Sequence, residues 1–173
     1  MVRGGVFLLV VCGLATGCAS TGAVPAPFPR PDAHPAPAAP PDADGTRVAD
    51  ASTYAIVGTA LALRGAPYRN GGTDPSGFDC SGFVTYVFAQ HGLTVGRSVA
   101  DQYREGRPVP ADQLQPGDLV FFSTVTRGAS HVGIAIGGDE FVHAPSERGE
   151  VRVERLRAPY WSTRYLGARR MTG

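Results

Sequence analysis

The chain has 173 residues and a formal net charge of +1, and all 16 of its basic residues are arginines. A near-neutral balance with no basic run excludes strong attraction to nucleic acid. The absence of lysine excludes Schiff-base and lysine-nucleophile chemistry. Residues 1 to 17, MVRGGVFLLVVCGLATG, carry an early charge at Arg3, an apolar run from Val6 to Leu14 and small residues before Cys18. That is the layout of a secretory signal peptide. The apolar run is shorter than the ~20 residues a membrane-spanning helix needs.

The stretch Leu14-Ala15-Thr16-Gly17-Cys18 resembles a bacterial lipobox. The resemblance implies that cleavage leaves Cys18 as a lipid-bearing first residue. Ala19 follows it rather than aspartate, which in a diderm cell implies sorting to the outer membrane, facing the periplasm. The acyl chains of a mature lipoprotein, palmitate among them, would anchor the chain firmly, since one chain alone is marginal. Plain secretion, with Cys18 removed or free, is the competing reading. Residues 19 to 46 form a Pro/Ala-rich tract with too little apolar surface to fold. At about 3.1 Å per residue such a tether reaches roughly 85 Å. His34 lies within it and is read as solvated.

The remaining residues, 47 to 173, have the size of one ordinary domain. Ala51 to Arg64 reads as a helix, rich in Ala and Leu and stopped by Gly65 and Pro67. Asp79 to His91 carries Phe83, Val84, Val87 and Phe88 at helical spacing before Gly92. Ser98 to Asp101 is a capping-box-like start to a short helix ending at Gly106. Strands then follow at Leu119–Ser123, His131–Ile136, Glu140–Ala144 and Val151–Leu156, with a further one around Arg164 to Ala168. Helices first and an antiparallel sheet afterwards give an α+β fold.

With Cys12 lost with the signal and Cys18 lipidated, Cys80 is the one thiol left in an oxidising compartment. Such a leftover cysteine points to intermolecular pairing or a reactive thiol. Asp79 can cap the helix that Cys80 begins, and a helix start lowers a thiol's pKa. A buried apolar cysteine is the bland alternative, and the polar neighbours Asp79 and Ser81 argue against it. A nucleophilic thiol needs a base. His91, at a helix C-terminus, reads as structural. His131 and His143 lie on consecutive strands. A three-residue loop at Gly137-Gly138-Asp139 would set Gly133 opposite His143 and place both histidines on one face. A two-residue loop would separate them. Gly133 and Ala135 share that face and would leave room for the Cys80 helix to dock. A zinc site of Cys80, His131 and His143 is the weaker reading, because the spacing lacks CxxC or HxxxH pairs. The combination fits a thiolate–imidazolium pair, with His143 bonding the far nitrogen of His131.

The segments PYRNGGTDPSGFDCSGFV, LQPGDLVFF, SHVGIAIG and EFVHA, in this order, resemble the NlpC family of bacterial cell-wall cysteine peptidases. The resemblance runs from Pro67 to His143. It implies a papain-like fold with N-terminal helices on a small antiparallel sheet. It further implies Cys80 as nucleophile, His131 as base and His143 as third polar residue. Tyr68 matches a tyrosine whose hydroxyl faces the developing oxyanion, and Asp79 and Ser81 match positions that hold substrate peptide. One departure is Gly96-Arg97, where members often have Pro-Arg. The expected activity is hydrolysis of amide bonds in peptidoglycan stem peptides or cross-links, by a monomer that needs no metal or cofactor. A non-catalytic wall-binding lipoprotein and an acyl transferase of the same fold are the alternatives.

Overall fold

The structure is a computed structural model that describes residues 43–146 and 149–171, with side chains from Ser52 onward. The signal segment, Cys18 and the Pro/Ala-rich tract up to residue 42 lie outside the described residues. The elements, in chain order, begin with helix α1 (Ala43–Ala62), the two short strands β1 (Thr73–Asp74) and β2 (Gly77–Phe78), and helix α2 (Cys80–Ala89). Helix α3 (Val99–Arg104), strand β3 (Arg107–Val109) and a 3-10 turn at Ala111–Gln113 come next. Strands β4 (Leu119–Phe122), β5 (His131–Gly137), β6 (Glu140–His143) and β7 (Arg152–Arg155), helix α4 (Pro159–Ser162) and strand β8 (Tyr165–Arg170) complete the chain.

The fold is α+β. Six strands form one antiparallel sheet in the order β3-β8-β4-β5-β6-β7, and β1 and β2 pair separately. Helix α1 begins at Ala43, earlier than the sequence suggests and inside the expected tether. No proline lies between Pro41 and Pro67, and a nucleated helix propagates cheaply through residues that tolerate it.

Helix α2 forms where the pattern says it should. The Asp79 carboxylate accepts the Gly82 N–H at 2.6 Å, satisfying one of the free donors of the first turn. Phe83, Val84, Val87 and Phe88 bury one stripe. Each contributes about 1.5–3 kcal/mol relative to an exposed side chain. The stripe packs with Ile56 and Ala60 of α1 onto Leu119, Phe121, Val132 and Ile134 of the sheet. His91, just beyond α2, shares a 2.9 Å hydrogen bond with Thr59 of α1, so it ties two helices together.

Alternation along the strands assigns the other sheet face to Val120, Phe122, Ala135 and Phe141, which are covered by Trp161 of α4. The His131 face is this one. Gly133 and Ala135 therefore do not make room for α2, which lies on the opposite face against Val132 and Ile134. They make room for aromatic rings instead. A Cβ at Gly133 would sit 2.6 Å from Phe141 Cδ2 and 3.2 Å from His143 Cβ.

The β5–β6 connection decides which face the second histidine takes. Gly137 pairs with Glu140, so the turn itself holds only Gly138 and Asp139. Yet Ala135 pairs with Phe141 and Ile134 with Val142, a register one residue different. A bulge at Ile136 absorbs the difference. Gly137 and Gly138, at φ 115° and 59°, take left-handed conformations that side-chain-bearing residues avoid. The bulge restores the alignment of a three-residue loop, and the two histidines share a face.

Several elements escape sequence pattern. β1 and β2 have two residues each, too few to show a period. β3 contains Pro108, tolerable because β3 is an edge strand.

The start of α2 also needs a bare backbone at Gly82, where a Cβ would lie 2.0 Å from the Gly72 carbonyl oxygen. Gly82→Ala should therefore destabilise the domain by about 1–3 kcal/mol or more through overpacking. Urea unfolding of the variant beside the parent measures this, and an unchanged midpoint would contradict the close approach.

Candidate active site

Cys80 is the first residue of α2, and the cap that starts this helix also fixes the surroundings of its sulfur. Asp79 accepts two hydrogen bonds from the Arg97 guanidinium, at 3.0 and 2.6 Å. Arg97 also donates to Ser81 Oγ at 2.9 Å. Burial works against the Asp79 charge, but Arg97 and the Gly82 N–H prevail and hold its carboxyl below the usual range. Asp79 and Ser81 thus form one ionic node with Arg97 beside the thiol. Arg97, this partner, follows Gly96, the position where the sequence departs from the Pro-Arg pattern. Behind the node, the buried Gln102 donates to the Gly96 carbonyl at 2.7 Å and to the Ser81 carbonyl at 3.1 Å, pinning the loop to α2.

Tyr68 arrives on a segment that runs beside residues 149–151. Its N–H donates to the Gly149 carbonyl at 2.8 Å, and the Val151 N–H donates to the Ala66 carbonyl at 2.8 Å. Tyr68, Asn70, Cys80 and His131 line one cleft, together with Thr124 and Ser146. A second lobe continues past His131 toward Arg152, Glu154, Tyr160 and Trp161. The helix start, the Tyr68 loop and the first residue of β5 therefore converge, although they are distant in sequence.

His131 Nε2 and His143 Nδ1 are 2.7 Å apart, with both rings buried. This hydrogen bond uses the two facing nitrogens and leaves Nδ1 of His131 for the cleft. Two imidazoles bonded to each other in this way do not present their nitrogens jointly to a zinc ion. Among the described residues, no group of three or more metal-ligating side chains comes together. Trp161 stacks on His131, with ring centroids 5.4 Å apart and planes 27° from parallel.

Burial dominates the protonation of all three groups. It pushes the Cys80 thiol up to about 11, and the Asp79 carboxylate adds to the rise. Backbone N–H groups of Val132, Ser81 and Cys80 act in the opposite direction and are outweighed. Burial brings His131 down to about 4 and His143 down to about 2. The expectation that the helix start acidifies Cys80 is thus overturned, because desolvation outweighs the dipole. Both shifts run toward the neutral forms of the Cys80 thiol and the His131 imidazole.

Glu154 and Trp161 were not singled out by the sequence, and Arg97 was named only beside Gly96, without a role. For Glu154 a signal existed: alternation in VRVERL puts Arg152 and Glu154 on one face of β7. Pairing with β6 then sets Arg152 opposite His143 and Glu154 opposite Phe141. Arg97 and Trp161 are brought in only by tertiary packing.

The sequence profile of the NlpC/P60 family matches residues 65–170. The chain belongs to the NlpC/P60 family. Over 116 residues it is 45% identical to a Bacillus subtilis protein named probable peptidoglycan endopeptidase LytE, covering 66% of this chain and 33% of that one. It is 43% identical over 109 residues to the Escherichia coli murein DD-endopeptidase MepS/murein LD-carboxypeptidase, covering 62% of this chain and 57% of the relative. The crystal structure of an NlpC/P60 family protein from Bacillus cereus superposes with a TM-score of 0.65 at 36% identity, over 68% of this chain and 39% of that one. The chain thus spans less than two thirds of the length of each of these relatives.

The depressed histidines tie stability to pH. In the unfolded chain they titrate near 6.5, and in the folded chain near about 4 and about 2. Stability is therefore full above pH 6.5 and falls as acid protonates the unfolded state first. Each histidine contributes a slope of about 1.4 kcal/mol per pH unit within its window. Urea midpoints from pH 7 down to 4 should fall, and His143→Gln should make the fall shallower.

Proposed function

We propose that the chain is a lipid-anchored peptidoglycan endopeptidase in which Cys80 is the nucleophile, His131 the general base and His143 the residue that orients His131. The observation that carries the reading is the 2.7 Å bond between His131 Nε2 and His143 Nδ1, which leaves His131 Nδ1 for the cleft it shares with Cys80. The similarity to a probable peptidoglycan endopeptidase and to a murein DD-endopeptidase supports the substrate class.

The burial of both groups sets the order of events. A buried thiolate or a buried imidazolium alone is costly. Moving one proton from Sγ to His131 Nδ1 changes no net charge, so the transfer accompanies attack rather than preceding it. Sγ adds to the amide carbonyl carbon, and the carbonyl oxygen becomes an oxyanion within reach of Tyr68. His131 then gives its proton to the departing amine nitrogen, which leaves a thioester on Cys80. Water loses a proton to His131 and its oxygen adds to the thioester carbonyl. The sulfur departs with that proton, restoring the thiol. Asp79, Ser81 and Arg97 form a polar wall beside the nucleophile, suited to the charged or hydrogen-bonding groups of a stem peptide.

The N-terminal part completes the proposal. Residues 1–17 act as a signal peptide, Cys18 carries the lipid, and the Pro/Ala-rich tract from Cys18 to about residue 46 acts as a tether. The peptidase domain, 47–173 in the sequence reading, is extended at its start by α1. A tether suits a substrate that is a fixed layer at a distance from the membrane. The protein then works in the cell envelope, on the outer membrane, as a monomer.

Cys80→Ala should abolish release of products from defined muropeptides, followed by mass spectrometry. Undiminished release would end the proposal. For the parent enzyme, kcat/KM should stay level from about pH 5 to about pH 10. It should fall toward pH 4 as His131 gains a proton, and toward pH 11 as the pair loses the proton that the leaving amine needs. A rate that rises steadily through pH 8 to 9 would contradict the buried, neutral pair.

A further inference from the structure

Beyond the three groups of the proposed mechanism, His143 faces a carboxylate that this mechanism leaves unused. His143 Nε2 is buried and has no hydrogen-bond partner among the described residues. Glu154 Oε1 lies 3.7 Å from it. That separation is too long for a formed hydrogen bond, and the interaction is electrostatic. Glu154 is itself fixed: Arg152 Nε donates to Oε1 at 2.7 Å, and Trp161 Nε1 donates to Oε2. Trp161 also stacks on His131, so the same side chain positions both ends of the relay.

We infer that Glu154 is a positioning residue that sets the tautomer of His143, and through it the tautomer of His131. The proton count requires this. If His131 is to accept the Cys80 proton at Nδ1, its own proton sits on Nε2 and donates to His143 Nδ1. His143 Nδ1 must then be an unprotonated acceptor, and a neutral His143 carries its proton on Nε2. Glu154 favours that arrangement, because an N–H facing a carboxylate is attracted and a lone pair facing it is repelled. The other tautomer puts the His143 proton on Nδ1, turns His131 Nε2 into an acceptor and places the His131 proton on Nδ1. That ring cannot take a proton from Cys80. When His131 becomes an imidazolium in the reaction, the Glu154 charge also stabilises it, consistent with its upward pull on the His131 pKa.

The inference rests on the proposed roles of Cys80 and His131, but its primary test does not need activity. Long-range 15N–1H correlation spectra of the 15N-labelled protein at neutral pH should show His143 protonated on Nε2 and His131 on Nε2. Glu154→Gln can donate its amide to His143 Nε2 and should shift His143 toward the Nδ1–H form, whereas Glu154→Asp should keep the parent pattern. On muropeptide substrate, Glu154→Gln should lower kcat by roughly 10- to 100-fold with little change in KM. Glu154→Asp should recover much of that loss, and the penalty should vanish in a His143→Gln background. A wild-type His143 protonated on Nδ1, or a Glu154→Gln spectrum with an unchanged tautomer, overturns the inference. If murein cleavage fails while the tautomers are as expected, the activity proposal fails and the Glu154 assignment stands.

Discussion

The hydrogen bond between His131 and His143 couples the architecture of the sheet to the chemistry of the cleft. It joins the first residue of β5 to the last residue of β6. Both side chains must therefore lie on the same sheet face, and the register of one hairpin decides whether they do. The bulge at Ile136 is the element that makes this register compatible with a tight turn. Gly133 leaves space between the two histidine positions for the Phe141 ring. Trp161 then closes the face and stacks on His131.

Desolvation gives the site its character. A thiol at a helix start would ordinarily be expected to ionise more easily. Here Cys80 is half-buried at the cleft, desolvation raises its thiol pKa, and Asp79, which caps the helix, adds a negative charge beside it. Arg97 offsets that charge with two hydrogen bonds, so the cap keeps its geometry while its field is partly neutralised. Both histidines are buried, and burial disfavours their charged forms. In the proposed mechanism such a site needs only a proton shift within the pair when a substrate carbonyl arrives.

Two charged networks flank the cleft, and they differ in role. Asp79, Ser81 and Arg97 stand on the Cys80 side, where Gln102 braces the loop carrying Arg97. Glu154 and Arg152 stand on the histidine side, on edge strand β7. The first forms a polar wall beside Cys80, which is proposed to meet the substrate. The second faces His143 and is inferred to act through it on protonation and orientation.

Much was legible in the sequence because the signals were local. The apolar stripe of α2, its aspartate cap and the stop at Gly92 are patterns within a dozen residues, and the strands of the sheet announced themselves by composition and turn residues. Cys80, His131, His143 and Tyr68 stood out through motif order, and the structure gathers Tyr68, Cys80 and His131 at one cleft with His143 bonded behind. Which face α2 covers, where Trp161 sits and what Glu154 touches were decided only by tertiary structure. Strand alternation divides residues into two faces, but it does not say what packs on either. The protonation of Cys80 belongs to the same class: a helix start can be read from a cap, whereas burial is a property of everything folded around it.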